Sequence, residues 1–135
     1  MNPLYPLVAS RARHRCEYCR APEAVFNFPF EVEHIIPTSQ GGTGDESNLS
    51  LACRSCNLRK SNHEVGWDDQ TGRESRLFHP RQDRWDDHFV YHQASRMIVG
   101  LTPIGRATVD RLRLNSPGQL TARSQWTRLG VFPMF

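Results

Sequence analysis

Two matched Cys-x2-Cys pairs constrain this chain more than any other feature of its sequence. Cys16 and Cys19 form the first pair, Cys53 and Cys56 form the second, and 33 residues separate them. Each pair places two thiols close enough for one tetrahedral ion, and two such turns complete a four-sulfur zinc site. Four thiolates leave no open coordination position, so this zinc is predicted to be structural. Two disulfides or four buried free thiols are the alternative.

Length and composition favour the zinc interpretation. A chain of 135 residues is one domain, or a small domain with an extension, and 38% hydrophobic residues describe a soluble protein with a modest core. The sequence has no apolar run of membrane-spanning length, and its N-terminus lacks the long apolar segment of a signal peptide. We therefore expect a cytoplasmic, reducing compartment, where paired cysteines bind metal more often than they form disulfides.

The segment between the cysteine pairs contains an unusual stretch, EVEHIIP, at residues 31–37. Its apolar residues suit a strand, yet Glu33 and His34 stand side by side among them. Because neighbouring side chains of a strand point to opposite faces, the acid and the histidine cannot share one simple role. We expect a turned or bulged backbone here, which would aim the two side chains at different parts of one site.

The rest of the chain is predicted to be a mixture of short helices and strands. A loop rich in Gly, Ser and Asp follows EVEHIIP, and DDQTGRES, at 68–75, is predicted to be a second loop. Thr-Pro and Ser-Pro pairs predict two helix starts in the last third of the chain. The predicted helices are 4–14, one from about 54, 103 to about 114, and 117 to before 130, and the predicted later strands are 88–92 and 97–102.

The order of these motifs resembles the HNH endonucleases, the ββα-metal nucleases, in their variant with a four-cysteine zinc clamp. The matching residues read CEYC…EVEHIIP…GG…NLSLACRSCNLRK, and the resemblance covers about residues 10–63. It implies an α+β fold with a small ββα-metal HNH core, residues 1–63, stapled by the zinc site. Residues 64–135 are expected to be a C-terminal strand-helix extension that packs on the core and possibly contacts DNA.

The resemblance also implies roles for individual residues. His34 corresponds to the general base that takes a proton from the attacking water. Glu33 and Asn57 correspond to oxygen ligands of one catalytic divalent ion, Mg²⁺ or Mn²⁺. Asn48 is expected to hydrogen-bond to backbone across the loop and to fix the orientation of the histidine. Glutamate stands where aspartate is common in the family, and Asn57 stands where many members carry histidine.

Basic residues predict contacts with nucleic acid. The net charge is only +3, but residues 94–135 carry six arginines and one aspartate, and the planar guanidinium suits phosphate. Lys60, three residues after Asn57 on the predicted helix, is expected to reach a phosphate beside the ion. The further candidates are Arg59, Arg54, Arg106 and Arg113.

These assignments keep alternatives. Arg54 and Arg59 fit an ordinary charged surface equally well. Arg106 and Arg113 form one polar stripe with Asp110, and salt bridging through Asp110 explains part of that stripe without any nucleic acid.

The sequence as a whole predicts a metal-dependent endonuclease that hydrolyses phosphodiester bonds in DNA. One alternative is a zinc-stabilised nucleic-acid-binding module without catalysis. Another is the same chemistry on RNA.

Overall fold

The computed structural model describes residues 1–133, which form an α+β fold of five helices and three two-stranded antiparallel sheets. The predicted fold class is therefore confirmed. In chain order the elements are α1 Tyr5–Arg11, β1 Glu31–His34, β2 Leu49–Ala52, α2 Arg54–Lys60, β3 Val65–Asp68, β4 Arg73–Arg76, α3 Trp85–His88, β5 Phe89–His92, β6 Met97–Gly100, α4 Pro103–Leu112 and α5 Pro117–Arg128.

The unit that carries the sequence motifs is the β1–β2 hairpin followed by α2. The two strands pair without interruption, with Glu33 opposite Ser50 and His34 opposite Leu49. The expectation of a bulge in β1 is therefore wrong. Cys53 is the N-cap of α2, and its sulfur accepts a hydrogen bond from the backbone N–H of Cys56 at 3.5 Å. One residue thus starts the helix and belongs to the sulfur cluster.

The segment predicted as a loop at 68–75 is instead the connection and second strand of a hairpin, β3–β4. Gly72, at φ +67°, forms the turn between the strands. Charged side chains obscured the pattern, because β4 is largely exposed and presents no apolar alternation. A Cβ at Gly66 would lie 2.4 Å from the carbonyl oxygen of Ala107, so glycine lets α4 pack directly against this hairpin.

The two C-terminal helices start where the sequence predicts. Thr102 and Ser116 are the N-caps, and their hydroxyls accept hydrogen bonds from the N–H groups of Gly105 at 3.0 Å and Gln119 at 3.3 Å. A proline in the first turn of each helix supplies the fixed φ that a helix start needs. Helix α4 ends at Leu112, two residues before the predicted end.

The C-terminal half packs against the cysteine-containing half. The indole N–H of Trp85 donates to the carbonyl oxygen of Tyr18 at 2.9 Å, and Arg15 donates to the carbonyl oxygen of Val131 at 2.8 Å. One cluster of buried apolar side chains includes residues from both halves. Within residues 1–133, each helix is too short or too polar to cross a membrane.

Candidate functional site

The four cysteines come together as one buried cluster. Their sulfur atoms all lie within 4.8 Å of one another, and none is in a disulfide. The sulfurs of Cys19 and Cys53 are 3.7 Å apart. Zinc–sulfur bonds of about 2.3 Å in a tetrahedron place the sulfurs about 3.8 Å apart, so the cluster fits a structural zinc ion. The prediction of one shared site, and not two separate pairs, is confirmed.

The electrostatics of the cluster require a cation. Hydrogen bonds from Cys16, and then from Cys53 and Cys56, hold the pKa of Cys19 well below its ordinary value. Hydrogen bonds with Cys16 and Cys19 raise the pKa of the Cys56 thiol, and burial raises it further. Without a metal the site therefore favours one thiolate among protonated thiols. A zinc ion supplies the positive charge that lets all four ionise.

Asn48 fastens the loop that follows β1. Its side-chain oxygen accepts from the N–H of Ile36 at 2.8 Å, and its amide donates to the carbonyl oxygens of Ile36 at 3.0 Å and Thr43 at 2.8 Å. Gly42 makes this fit possible, because a Cβ there would lie 1.7 Å from the Ile36 carbonyl oxygen. Asn48 thus makes contacts of the kind expected for it, two residues beyond His34.

Glu33 and His34 point to opposite sides of β1. Glu33 is buried, whereas His34 is half-buried. The Glu33 carboxylate accepts hydrogen bonds from the hydroxyls of Tyr18 and of Ser50, the latter at 2.7 Å. Burial, and then the negative charge of Glu33, raise the pKa of Tyr18 well above its ordinary value, so the phenol remains a donor.

Lys60 completes the surroundings of Glu33. Its ammonium group lies 3.0 Å from the second carboxylate oxygen, and both side chains are almost fully buried. It also donates to the carbonyl oxygens of Ile35 at 2.8 Å and His34 at 3.2 Å. The structure therefore directs Lys60 inward. This placement does not fit our expectation that Lys60 reaches a phosphate, since such contact requires the side chain to leave Glu33.

Glu33, His34 and Asn57 nevertheless line one cavity, of about 320 Å³, between β1, the loop after it and the end of α2. Among residues 1–133, no hydrogen bond or ion pair holds the imidazole of His34, which leaves its nitrogens available to a ligand. The cavity thus brings together a carboxylate, an amide and an imidazole. Oxygen donors of these two kinds suit Mg²⁺ or Mn²⁺.

The remaining predicted nucleic-acid contacts divide into two groups. Arg54 and Arg59 are exposed on α2, the helix that carries Asn57. Arg106 is instead paired with Asp68, with its Nε 2.7 Å from the carboxylate, so the expected partner Asp110 is not the one that it uses. Arg113 lies beyond the end of α4 in a left-handed conformation and is exposed. The predicted polar stripe is therefore interrupted.

Sequence reasoning missed three residues that support the site. Tyr18 and Ser50 bind the Glu33 carboxylate, and Gly42 accommodates the loop closed by Asn48. For Gly42 a signal was present, because the paired glycines belong to the motif. The alternation of Ser50 within an apolar strand was a weaker signal. Tyr18, inside the first Cys-x2-Cys pair, gave none that a single sequence reveals.

Comparison with known proteins matches this part of the chain to one family. Residues 16–63 match the family model described as HNH endonuclease. Searches of curated proteins and of solved structures gave no match. The matched range contains both cysteine pairs, the β1–β2 hairpin and α2, and it implies a role in nuclease or related nucleic-acid chemistry. Residues 16–63 are therefore an HNH endonuclease domain.

Proposed function

We propose that the protein is a metal-dependent endonuclease that hydrolyses phosphodiester bonds in DNA, with His34 as general base. One observation carries this proposal: Glu33, His34 and Asn57 line a single cavity within the segment that matches the HNH family. The zinc cluster is a separate, closed site, so it stabilises the hairpin and helix without taking part in the chemistry.

The chain's own residues would act as follows. The imidazole of His34 accepts a proton from water, which then attacks the phosphorus in line with the departing 3′ oxygen. Asn48 holds the loop next to His34 and so limits the movement of the backbone behind the imidazole. Glu33 and Asn57 would hold the divalent ion, which when bound supplies positive charge to the scissile phosphate and the leaving oxygen.

The ion pair between Glu33 and Lys60 bears on how the metal binds. A carboxylate that Lys60 already neutralises gains less from a divalent cation than a free carboxylate does. We therefore expect metal binding to be weak in the absence of substrate, and to release Lys60 from Glu33. The substrate phosphate would then attract both the ion and the freed ammonium.

The same ion pair supports a second candidate function, a zinc-stabilised nucleic-acid-binding module without catalysis. In that case Lys60 would remain with Glu33 permanently, and the cavity at His34 would bind no metal. Mn²⁺ separates the two candidates, because its paramagnetism broadens the NMR signals of nearby side chains. Broadening confined to Asn57 and His34 supports the nuclease, whereas uniform weak broadening supports the binding module.

The central test is a plasmid-nicking assay with Mg²⁺ or Mn²⁺ on the parent and on His34→Ala. Loss of a general base lowers rates by about 10²- to 10⁴-fold, so the variant should be nearly inactive while it retains its zinc and its circular dichroism. His92→Ala, which removes an exposed histidine from β5, is the matched control and should cut like the parent. Undiminished cutting by zinc-loaded, folded His34→Ala would refute the mechanism. A labelled RNA duplex in the same assay distinguishes the two substrates.

A further inference from the structure

A second cavity, of about 740 Å³, lies between the end of α1, the first cysteine turn and the segment 78–85. It is larger than the cavity at His34. Four arginines contribute to its lining, and they are concentrated within ten residues of the sequence, SRARHRCEYCR at 10–20. These four are Arg11, Arg13, Arg15 and Arg20.

The two carboxylates of this cavity are already neutralised by other arginines. Glu17 is paired with Arg81 and also accepts from the N–H of Leu51 at 2.8 Å. Asp83 accepts two hydrogen bonds from Arg76, at 2.7 and 2.9 Å. Neither Arg76 nor Arg81 belongs to the four lining arginines. The acids therefore do not balance the positive charge of the lining.

The lining arginines are held in place mainly by groups that leave their charge uncompensated. Arg11 donates to the carbonyl oxygens of Glu46 at 2.9 Å and Leu49 at 2.6 Å. Arg15 donates to the carbonyl oxygens of Arg20 at 3.3 Å and Val131 at 2.8 Å. Carbonyl oxygens orient a guanidinium but carry no net charge, so both side chains stay cationic and fixed.

The remaining two arginines complete the cluster. The guanidinium of Arg20 lies over the ring of Trp85, 4.9 Å from its centroid, and the charge of Asp86 offsets part of its own. Arg13 is exposed, next to Arg11 and Arg15 in the sequence. Burial lowers the pKa of Arg11, Arg15 and Arg20, which shows that gathering these charges is unfavourable in the absence of an anion. Fixed, uncompensated guanidinium groups around a cavity are the chemistry that binds phosphate.

The cavity begins at the hairpin that carries His34. Leu49, whose carbonyl oxygen binds Arg11, is directly opposite His34 in the β1–β2 pairing. Opposed residues of antiparallel strands have Cα atoms about 5 Å apart, so the Arg11 guanidinium is on the order of 10 Å from the His34 backbone. Phosphates of one strand follow each other by about 3.4 Å along the helix axis, so this separation corresponds to roughly three nucleotides.

We propose that the arginine cavity is a second phosphate-binding site, which holds the nucleic-acid backbone about three nucleotides from the phosphate at His34. The proposal rests on the proposed function for the identity of the ligand, since the charge itself requires only a phosphate group. It assigns the positioning of the substrate to the N-terminal arginines, which lie outside the HNH motifs apart from Arg20 and which approach the hairpin from the edge of β2.

The test is duplex binding, measured by fluorescence anisotropy over a range of salt concentrations without divalent ions. His34→Ala serves as the parent, which prevents cleavage. Adding Arg13→Gln and Arg15→Gln should weaken binding at least about tenfold at low salt and reduce the salt slope by about 1 to 2, because each lost phosphate contact removes close to one released counterion. Arg128→Gln, at the exposed end of α5, is the matched control and should change neither quantity.

Further arms separate the possible outcomes. Arg13→Lys in place of Arg13→Gln should restore most of the salt slope, because lysine keeps the charge. Unchanged duplex affinity in the Arg13→Gln/Arg15→Gln variant, with its zinc content and circular dichroism intact, would overturn the proposal. It would also be overturned if inorganic phosphate stabilised the parent against heat while the arginine changes left duplex affinity unaltered, since the cavity would then serve a free anion.

Cleavage by the wild-type chain is measured separately. Arginine-dependent binding without any cleavage supports the cavity and contradicts the nuclease. Cleavage with arginine-independent binding does the reverse.

Discussion

Replacing Lys60 by methionine tests the buried ion pair that sets the state of Glu33. Methionine keeps most of the length of the side chain and removes the charge. At the 3.0 Å separation of the ammonium and the carboxylate, the Coulomb attraction is about 5 kcal/mol at an effective dielectric constant of 20. Removal of one partner from a buried pair typically costs about 3–5 kcal/mol, because the other charge is left uncompensated.

The expected result is a large loss of stability. For a chain of this size, a cost of about 3–5 kcal/mol lowers Tm by roughly 10–20 °C. The measurement is thermal unfolding of the zinc-loaded protein in buffer cleared of other divalent ions, followed by circular dichroism. Arg59→Met, an exposed neighbour on the same helix, is the control and should stay within about 0.5 kcal/mol of the parent.

A second variant protects the interpretation from a purely steric effect of methionine. Glu33→Gln combined with Lys60→Met removes both charges, so it should recover part of the loss, with a coupling energy of about 1–3 kcal/mol. Mn²⁺ should raise the Tm of Lys60→Met more than that of the parent, because the unpaired Glu33 carboxylate then favours a cation. A Tm within about 3 °C of the parent for Lys60→Met would refute the reasoning.

Three further predictions concern the zinc cluster, the acid stability and the loop. Cys53→Ser should bind less than one equivalent of zinc by atomic absorption and lose the cooperative unfolding transition, because zinc binding supplies folding free energy to a core this small. Hydrogen bonding to Arg106 lowers the pKa of Asp68, so its stabilisation is present above the unfolded-state pKa of about 3.9 and is lost as the pH falls further; Asp68→Asn should therefore flatten the acid side of the Tm–pH profile, and an unchanged slope would contradict this. Gly42→Ala should cost about 1–3 kcal/mol in urea unfolding, because its Cβ overlaps a backbone carbonyl, whereas Gly44→Ala, with open space around its Cβ, should be nearly neutral.

The sequence predicted the features that depend on local chemistry. The Thr102 and Ser116 caps are recognisable because a hydroxyl before a proline satisfies the first free N–H groups of a helix within three residues. The β3–β4 hairpin was missed for a related reason. Its strands are stabilised by packing against α4, and the pairing of Arg106 with the buried Asp68 is a contact over 38 residues that no local pattern shows.

Charge counts illustrate the same distinction. Counted by halves, the positive charge lies in the C-terminal part, yet Arg123 there is fully buried and bonded to backbone carbonyls, and Arg106 is paired with an acid. The arginines of 11–20 belong to a half whose net charge is negative, and they nonetheless gather around one cavity. Side-chain orientation and pairing, and not the count, decide where a phosphate can bind.

The sequence by itself determined the donor atoms and their order: four sulfurs for one tetrahedral ion, then an acid, an imidazole and two amides at spacings that one hairpin and one helix can bring together. Only the tertiary structure decided the direction of each charge. It placed Lys60 against Glu33, 27 positions earlier in the chain, because a buried carboxylate requires a counter-charge and the end of α2 is where the fold supplies one. That requirement acts through space, so the neighbouring residues in the sequence carry no record of it.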